Sequence, residues 1–186
     1  MILTAATPNH QELHGMTLSS VCSLAVFPNP LLEFNLHLPS YTSQAIHENR
    51  YLAIHLLPPT SKSAFLSRVF ASGVKKDKIG SELASTTEEL KDGEVFHEMT
   101  TPFTRLPKSD YNFHKVDDKI SIPILKESEI IFICKLSKTL EVENHEIFVV
   151  DVLKIIQNEE YKNSTGGLLY FNRGFHKIGS LVTEAQ

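Results

Sequence analysis

A mainly β fold, an antiparallel barrel with helical additions, is what this sequence predicts, and three observations carry the prediction. Short apolar runs recur along the chain and are separated by proline, asparagine and glycine turn signals. The two strongest strand candidates, residues 129–136 and 147–156, are rich in Ile, Val and Phe and are joined by a polar turn around 141–145. Helical spacing is confined to two or three short stretches, as expected for a barrel with helices added to it.

Residues 1–6 are apolar and β-compatible, and Pro8-Asn9-His10 turns the chain back. Residues 15–42, GMTLSSVCSLAVFPNPLLEFNLHLPSYT, follow, and the rest of the chain is organised around them. They open with hydroxyls at Thr17, Ser19, Ser20 and Ser23, set among small and apolar residues. After Pro28-Asn29-Pro30, Leu32, Phe34, Leu36 and Leu38 alternate with Glu33, Asn35 and His37, the period of a half-buried strand. Pro39-Ser40-Tyr41-Thr42 ends the strand, and a helix is expected over about 43–49. Residues 51–57 form another apolar strand, stopped by Pro58-Pro59. Thr60 caps a second helix in which Ala64, Phe65, Val69 and Phe70 fall at helical spacing, and Gly73 terminates it.

From 75 to 119 the pattern loosens. A polar run over 85–93 and breaks at Thr101-Pro102 and Leu106-Pro107 read as a loop-rich surface insertion with one short helix, suited to a lid or a dimer contact. Order returns at Ile120, and Gly166-Gly167 precede a late strand over 168–171. With no internal repeat or low-complexity segment, residues 1–186 read as a single domain.

At 186 residues the chain is long enough to bury a substantial core, and 41% hydrophobic with 22% charged residues is ordinary for a globular protein. A net charge of −4 argues against a general nucleic-acid binder, and the basic run at 74–78 reads as a solvated loop. No apolar run approaches the ~20 residues of a membrane helix. The start, MILTAATPNHQE, lacks the basic region of a secretory signal, so a cytoplasmic location is expected, with an organelle such as the mitochondrion left open. Cys22 and Cys134 read as free buried thiols in a reducing compartment. The Asn163-Ser164-Thr165 glycosylation pattern has no signal peptide to give it meaning. No metal is expected: His10-Gln11-Glu12-Leu13-His14 has Gln11 where a zinc-protease motif needs its glutamate, and the other histidines are scattered.

Backbone amides and small hydroxyls between Thr17 and Ser23 offer neutral donors and acceptors to a flat heterocycle. A helix start flanked by Ser40 and Thr42 offers a seat for that molecule's phosphate, and either residue also serves as an ordinary N-cap. The order T-x-S-S-x-x-S, proline turn, apolar strand, S-x-T and short helix resembles the flavin reductase family, whose fold is the FMN-binding split barrel. Phe70-Ala71-Ser72-Gly73 is similar to the family's segment at the end of its second helix. Residues 122–155 resemble its proline turn, cysteine-bearing strand and D-H-x-I-F-x-G-x-V strand. Leu168-Leu169-Tyr170-Phe171 with Arg173, Phe175 and His176 resembles its closing L-V-Y-F-R-x-x-Y element. The likeness spans most of 1–80 and 120–178.

That resemblance implies bound FMN, with FAD possible, contacted by Thr17, Ser19, Ser20, Val21, Cys22, Ser23 and Asn35. It places Ser40, Tyr41 and Thr42 on the phosphate, and Ser72 and Tyr170 nearby. It implies a catalytic role for His145 beside the nicotinamide, although Glu143-Asn144-His145 stands where the family has G-D-H and the acid is missing. NADH or NADPH is the implied co-substrate. With no G-x-G-x-x-G after a strand and no P-loop, it would stack on the flavin in an open cleft. A homodimer and a partner oxygenase that accepts the reduced flavin are further implications. A competing expectation is a flavin- or haem-binding carrier or sensor, its nicotinamide face covered by the insertion. A pyridoxamine phosphate oxidase relative is a weaker one, since no Arg/Lys cluster is present for a second phosphate.

Overall fold

The computed structural model describes residues 1–71, 74–76, 95–97, 101–161 and 165–179. In chain order the strands are β1 (Ile2–Ala6), β2 (Leu13–Thr17), β3 (Cys22–Ala25) and β4 (Leu31–His37), followed by helix α1 (Tyr41–Asn49). Then come β5 (Tyr51–Leu56), α2 (Ser61–Ala71), β6 (Val74–Lys76) and β7 (Val95–His97). The rest is β8 (Tyr111–Lys115), β9 (Ser121–Leu125), β10 (Ile130–Val142), β11 (His145–Gln157), β12 (Leu168–Phe171) and β13 (Gly174–Lys177).

Seven strands form one antiparallel sheet in the order β2-β1-β5-β10-β11-β4-β3. The two edge strands, β2 and β3, are consecutive in the chain, and residues 18–21 alone connect them. Laid flat, six strand spacings would separate those edges by roughly 28 Å. The extended chain from Thr17 to Cys22 reaches only about 18 Å. The sheet therefore rolls until its edges approach, yet β2 and β3 are not hydrogen-bonded neighbours. A barrel with one open seam results, and the hydroxyl-rich run lies along that seam.

Alternation fills the interior as the sequence predicts. Phe34 and Leu36 of β4 and Phe148 and Val150 of β11 are buried, and Phe34 lies opposite Phe148 with the rings stacked at 5.1 Å. α1 closes this core with Ala45 and Ile46. Its N-cap is Ser40, whose Oγ accepts the Ser43 N–H at 3.3 Å, so the helix begins two residues before the expected start. α2 is capped by Thr60 as expected, through the Ser63 N–H at 3.0 Å, and packs Leu66, Val69 and Phe70 against Ile2 and Leu57. β2 passes so close that a side chain at Gly15 would collide with the Leu3 carbonyl and the Phe70 ring, which explains the glycine there.

His55, fully buried on β5, joins three strands: its Nδ1 donates to the Ile2 carbonyl and its Nε2 accepts from the Leu125 N–H, each at 3.1 Å. Burial lowers its pKa to about 4, so the ring is neutral in the fold.

Three expectations are corrected. Order resumes well before Ile120: Pro102 and Leu106 are buried, Phe103 and Tyr111 pack against the α2 cluster, and β8 pairs with β9. The predicted 129–136 and 147–156 strands extend into a 13-residue hairpin on each side, turning at Glu143-Asn144, where Glu143 adopts φ 51°. Of the two cysteines expected to be buried, only Cys134 is, and burial raises its thiol to about 12; Cys22 sits on the exposed edge strand. Gly73, the predicted stop for α2, lies outside the described residues.

Candidate functional site

Ser19, Ser20 and Val21 span the barrel seam. Leu18 still donates its N–H to the Met1 carbonyl at 2.8 Å, but none of the next three residues makes a backbone–backbone hydrogen bond to another described residue. Ser19 is exposed, and Ser20 and Val21 are half-buried. Beside them lies a cavity of about 300 Å³ whose lining includes Val21, Cys22, Ser23, Leu32, Phe132 and Val152. That volume meets the lower bound of ligand clefts, ~300 Å³. Amides without a partner among the described residues and small hydroxyls at the mouth of an apolar cleft suit a flat heteroaromatic ring with a polar edge. Thr17 stands apart, since its Oγ1 donates to the Ser67 carbonyl of α2 at 2.6 Å.

Strand register decides which predicted residues share a face. Cys22 pairs with Glu33, Ile147 with Asn35, and His145 with His37. Side chains of paired residues project to the same side, and residues two apart repeat it. Cys22, Asn35, His37 and His145 therefore share the outer face, while Ser23 and Leu32 belong to the inner one. Asn35 lies on the polar side of β4, and His145 opens β11 at the turn-to-strand junction.

Asn144 organises this face. Its Oδ1 lies 2.8 Å from His145 Nδ1, and its Nδ2 lies 3.0 Å from His37 Nε2. The two imidazoles meet edge to face at 5.1 Å. His37 Nδ1 is buried with no partner among the described residues.

The predicted phosphate seat is more closed. Ser40 and Thr42 are each 1% exposed and Ser43 is buried; only Tyr41 retains surface, its ring stacked 5.5 Å from His14. Ser43 Oγ donates to Glu146 at 2.8 Å, and the other oxygen of that buried carboxylate lies 2.7 Å from His47 Nε2. Tyr170 lies on the separate β12–β13 hairpin, exposed, with its ring against Phe175 at 5.2 Å. Arg68 lies over that same Phe175 ring at 5.7 Å. Ser72 lies outside the described residues. Among the described residues no group of three or more His, Cys, Asp or Glu side chains could hold a metal, and no helix is long and apolar enough to cross a membrane.

Sequence reasoning missed Asn144 and His37 as partners of His145, and it missed Glu146. The alternation in β4 and β11 was visible, but the pairing register that sets His37 against His145 was not.

A rolled antiparallel sheet whose seam carries small hydroxyls beside an apolar cleft defines a split-barrel protein. Residues 1–179 match the model of the flavin reductase like domain, and the chain belongs to that family. It is accordingly an oxidoreductase that uses reduced nicotinamide nucleotide to reduce flavin. It is 24% identical over 164 residues to the FMN reductase (NADH) RutF of Ancylobacter novellus, covering 88% of this chain and 70% of that protein. Its fold matches flavoredoxin from Methanosarcina acetivorans with a TM-score of 0.67 at 16% identity, over 99% of this chain and 86% of that one. It also matches the styrene monooxygenase flavin reductase of Pseudomonas putida S12, with a TM-score of 0.62 at 19% identity, over 97% and 90%.

Proposed function

We propose that this chain is an FMN reductase using NADH, with the flavin ring held along the seam by Ser19, Ser20, Val21, Cys22 and Ser23, and with Asn35 and His145 on the nicotinamide side. The supporting observation is the run of backbone at residues 19–21 that has no backbone partner among the described residues, beside the apolar cleft. The choice of FMN and NADH follows the name of the Ancylobacter relative. The chemistry that bound flavin supplies is hydride acceptance at N5 from the reduced nicotinamide. The chain's own part is to orient both rings, keep water from one face and offer hydrogen bonds; no charged acid–base pair is needed.

Leu24, Val26 and Phe27 are 50%, 80% and 88% exposed, and Val26 lines the cleft. Exposed apolar side chains in such a cluster fit an interface, and a second copy of the chain covering them would make the homodimer. Release of reduced flavin to a partner oxygenase follows the name of the Pseudomonas relative.

Mixing the protein with FMN and NADH without oxygen tests the reading: fast bleaching of the yellow colour is expected. A stable oxidised spectrum would assign the protein to carriers or sensors, and sedimentation of the same sample reports the dimer.

A further inference from the structure

The β8–β9 hairpin packs on the outer face of β10 and β11, and the join between them is not completely filled. Register sets what meets there. Ile131 pairs with Ile156 and Ile133 with Lys154 across β10–β11, while Asn112 pairs with Ile124 and His114 with Ile122 across β8–β9. The isoleucines of both pairs of strands pack into one apolar cluster. Beside it remains a cavity of about 180 Å³, whose lining includes Asn112, Ile124, Lys126, Ile131, Ile156 and Asn158. An apolar protein cavity of about 150 Å³ is enough to take up benzene, so three isoleucines here leave room for one six-membered ring.

The polar part of the lining has a different chemistry. Lys126 is exposed and makes no ion pair among the described residues. The carboxylates that follow it are engaged elsewhere: Glu127 accepts the Thr60 hydroxyl at 2.6 Å, and Glu129 accepts the Thr165 N–H at 2.8 Å and its hydroxyl. Ser128 Oγ is spent on the Leu125 carbonyl. Asn158 Oδ1 accepts the Glu160 N–H at 3.1 Å, which leaves its NH2 to donate. The Asn112 side chain has no hydrogen-bond partner among the described residues. Two amides and an ammonium thus surround an apolar floor, with no carboxylate in the lining among the described residues. Lys154 shares the Ile156 side of β11 and adds positive charge nearby: burial lowers the pKa of His114, and Lys154 lowers it further. Such a lining selects a small anion with an apolar body. Phe132 and Ile155, paired one step along the same strands, face the other way and line the seam cleft. The two cavities stand back to back on one wall, so both can be filled at once.

We propose that this second cavity binds a monocyclic aromatic carboxylate of benzoate size, its ring on Ile124, Ile131 and Ile156 and its carboxylate at Lys126, Asn112 and Asn158. The site stands apart from the flavin-reducing reading and does not depend on it.

Calorimetric titration of the full chain with benzoate should give one site with a Kd in the millimolar range or tighter, and saturation with FMN should leave it in place. Benzamide has the same shape without the charge and should bind about five-fold more weakly, a modest factor because Lys126 is exposed. Lys126→Ala should weaken benzoate by about that factor and leave benzamide unchanged, whereas Lys126→Arg should hold benzoate. Ile156→Phe, which fills the cavity, should abolish uptake of both compounds. No binding at ~10 mM benzoate, well above the expected range, would overturn the proposal. So would equal binding of benzoate and benzamide, no effect of Lys126→Ala on benzoate, or displacement of benzoate by FMN, which would put it in the seam cleft. A protein that takes up benzoate as described but does not bleach flavin with NADH would remove the functional reading alone and leave this site standing.

Discussion

His145 and Glu146 are neighbours in sequence and opposites in setting. One points to the exposed outer face of β11 and is held by a neutral amide. The other points inward, 3% exposed, and its carboxylate ties α1 to the barrel through Ser43 and His47. The alternation of a single strand thus separates an exposed, polar face from the buried anchor of α1. On the inner side both carboxylate oxygens are engaged, as burial demands. On the outer side His37 Nδ1 is buried without a partner among the described residues.

Breaking the inner side should have the largest effect. Glu146→Leu strands the Ser43 hydroxyl in the interior and removes the charge facing His47. We expect a loss of about 2–4 kcal/mol in unfolding free energy by denaturant titration, with Glu146→Gln costing less, since it retains an acceptor. The figure is kept below that of a fully buried ion pair because His47 is 44% exposed.

His55 offers a second probe of interior polarity through pH. Its folded pKa of about 4 lies below the unfolded value of 6.5, so between those values the unfolded chain binds more protons. Stability should be complete above pH 6.5 and fall as pH drops toward 4, by up to about 3 kcal/mol, then level off. A His55→Gln variant should lose that slope in unfolding curves measured across the window.

The first turn of α1 sharpens the comparison from the ligand side. Ser40 and Thr42 are buried as placed, so a phosphate reaches them only if that turn opens. If it does, Ser40→Ala with Thr42→Ala should weaken FMN about ten-fold more than riboflavin in fluorescence titrations, the worth of one or two charge-assisted hydrogen bonds. Equal weakening would leave Ser40 as a cap alone.

The outer side should barely register in stability. His145→Ala should change unfolding free energy by no more than about 0.5 kcal/mol, as is usual for exposed sites. Turnover with NADH should nonetheless fall while FMN stays bound, and an unchanged rate would reduce His145 to a turn residue.

Much of this was legible in the residues. The alternation of Phe34 and Leu36 with Asn35 and His37 announced both faces of β4, and Ser40 announced the helix start. The hydroxyl run read as part of a ligand-binding hairpin, and not as the link between the two edges of the sheet. Pairing order is a long-range fact: only when β11 is set beside β4 does His37 meet His145. Burial of Ser40 and Thr42 was hidden for a related reason, because polar residues in a first helical turn look the same whether solvent or a barrel wall lies over them. Residues 101–115 misled because Pro102 and Pro107 read as breaks. In the fold they start short 3-10 turns that deliver Leu106 and Tyr111 to the core of α2.

The short link between β2 and β3 has a mechanical consequence. Two walls joined by a tether too short to let them part form a clasp, and whatever wedges between them touches both ends of the sheet. Flavin seated there would brace the whole barrel, raising its melting temperature by mass action in proportion to the logarithm of ligand excess. Extra residues spliced into 18–21 would slacken the clasp, and with it the dependence of thermal stability on flavin.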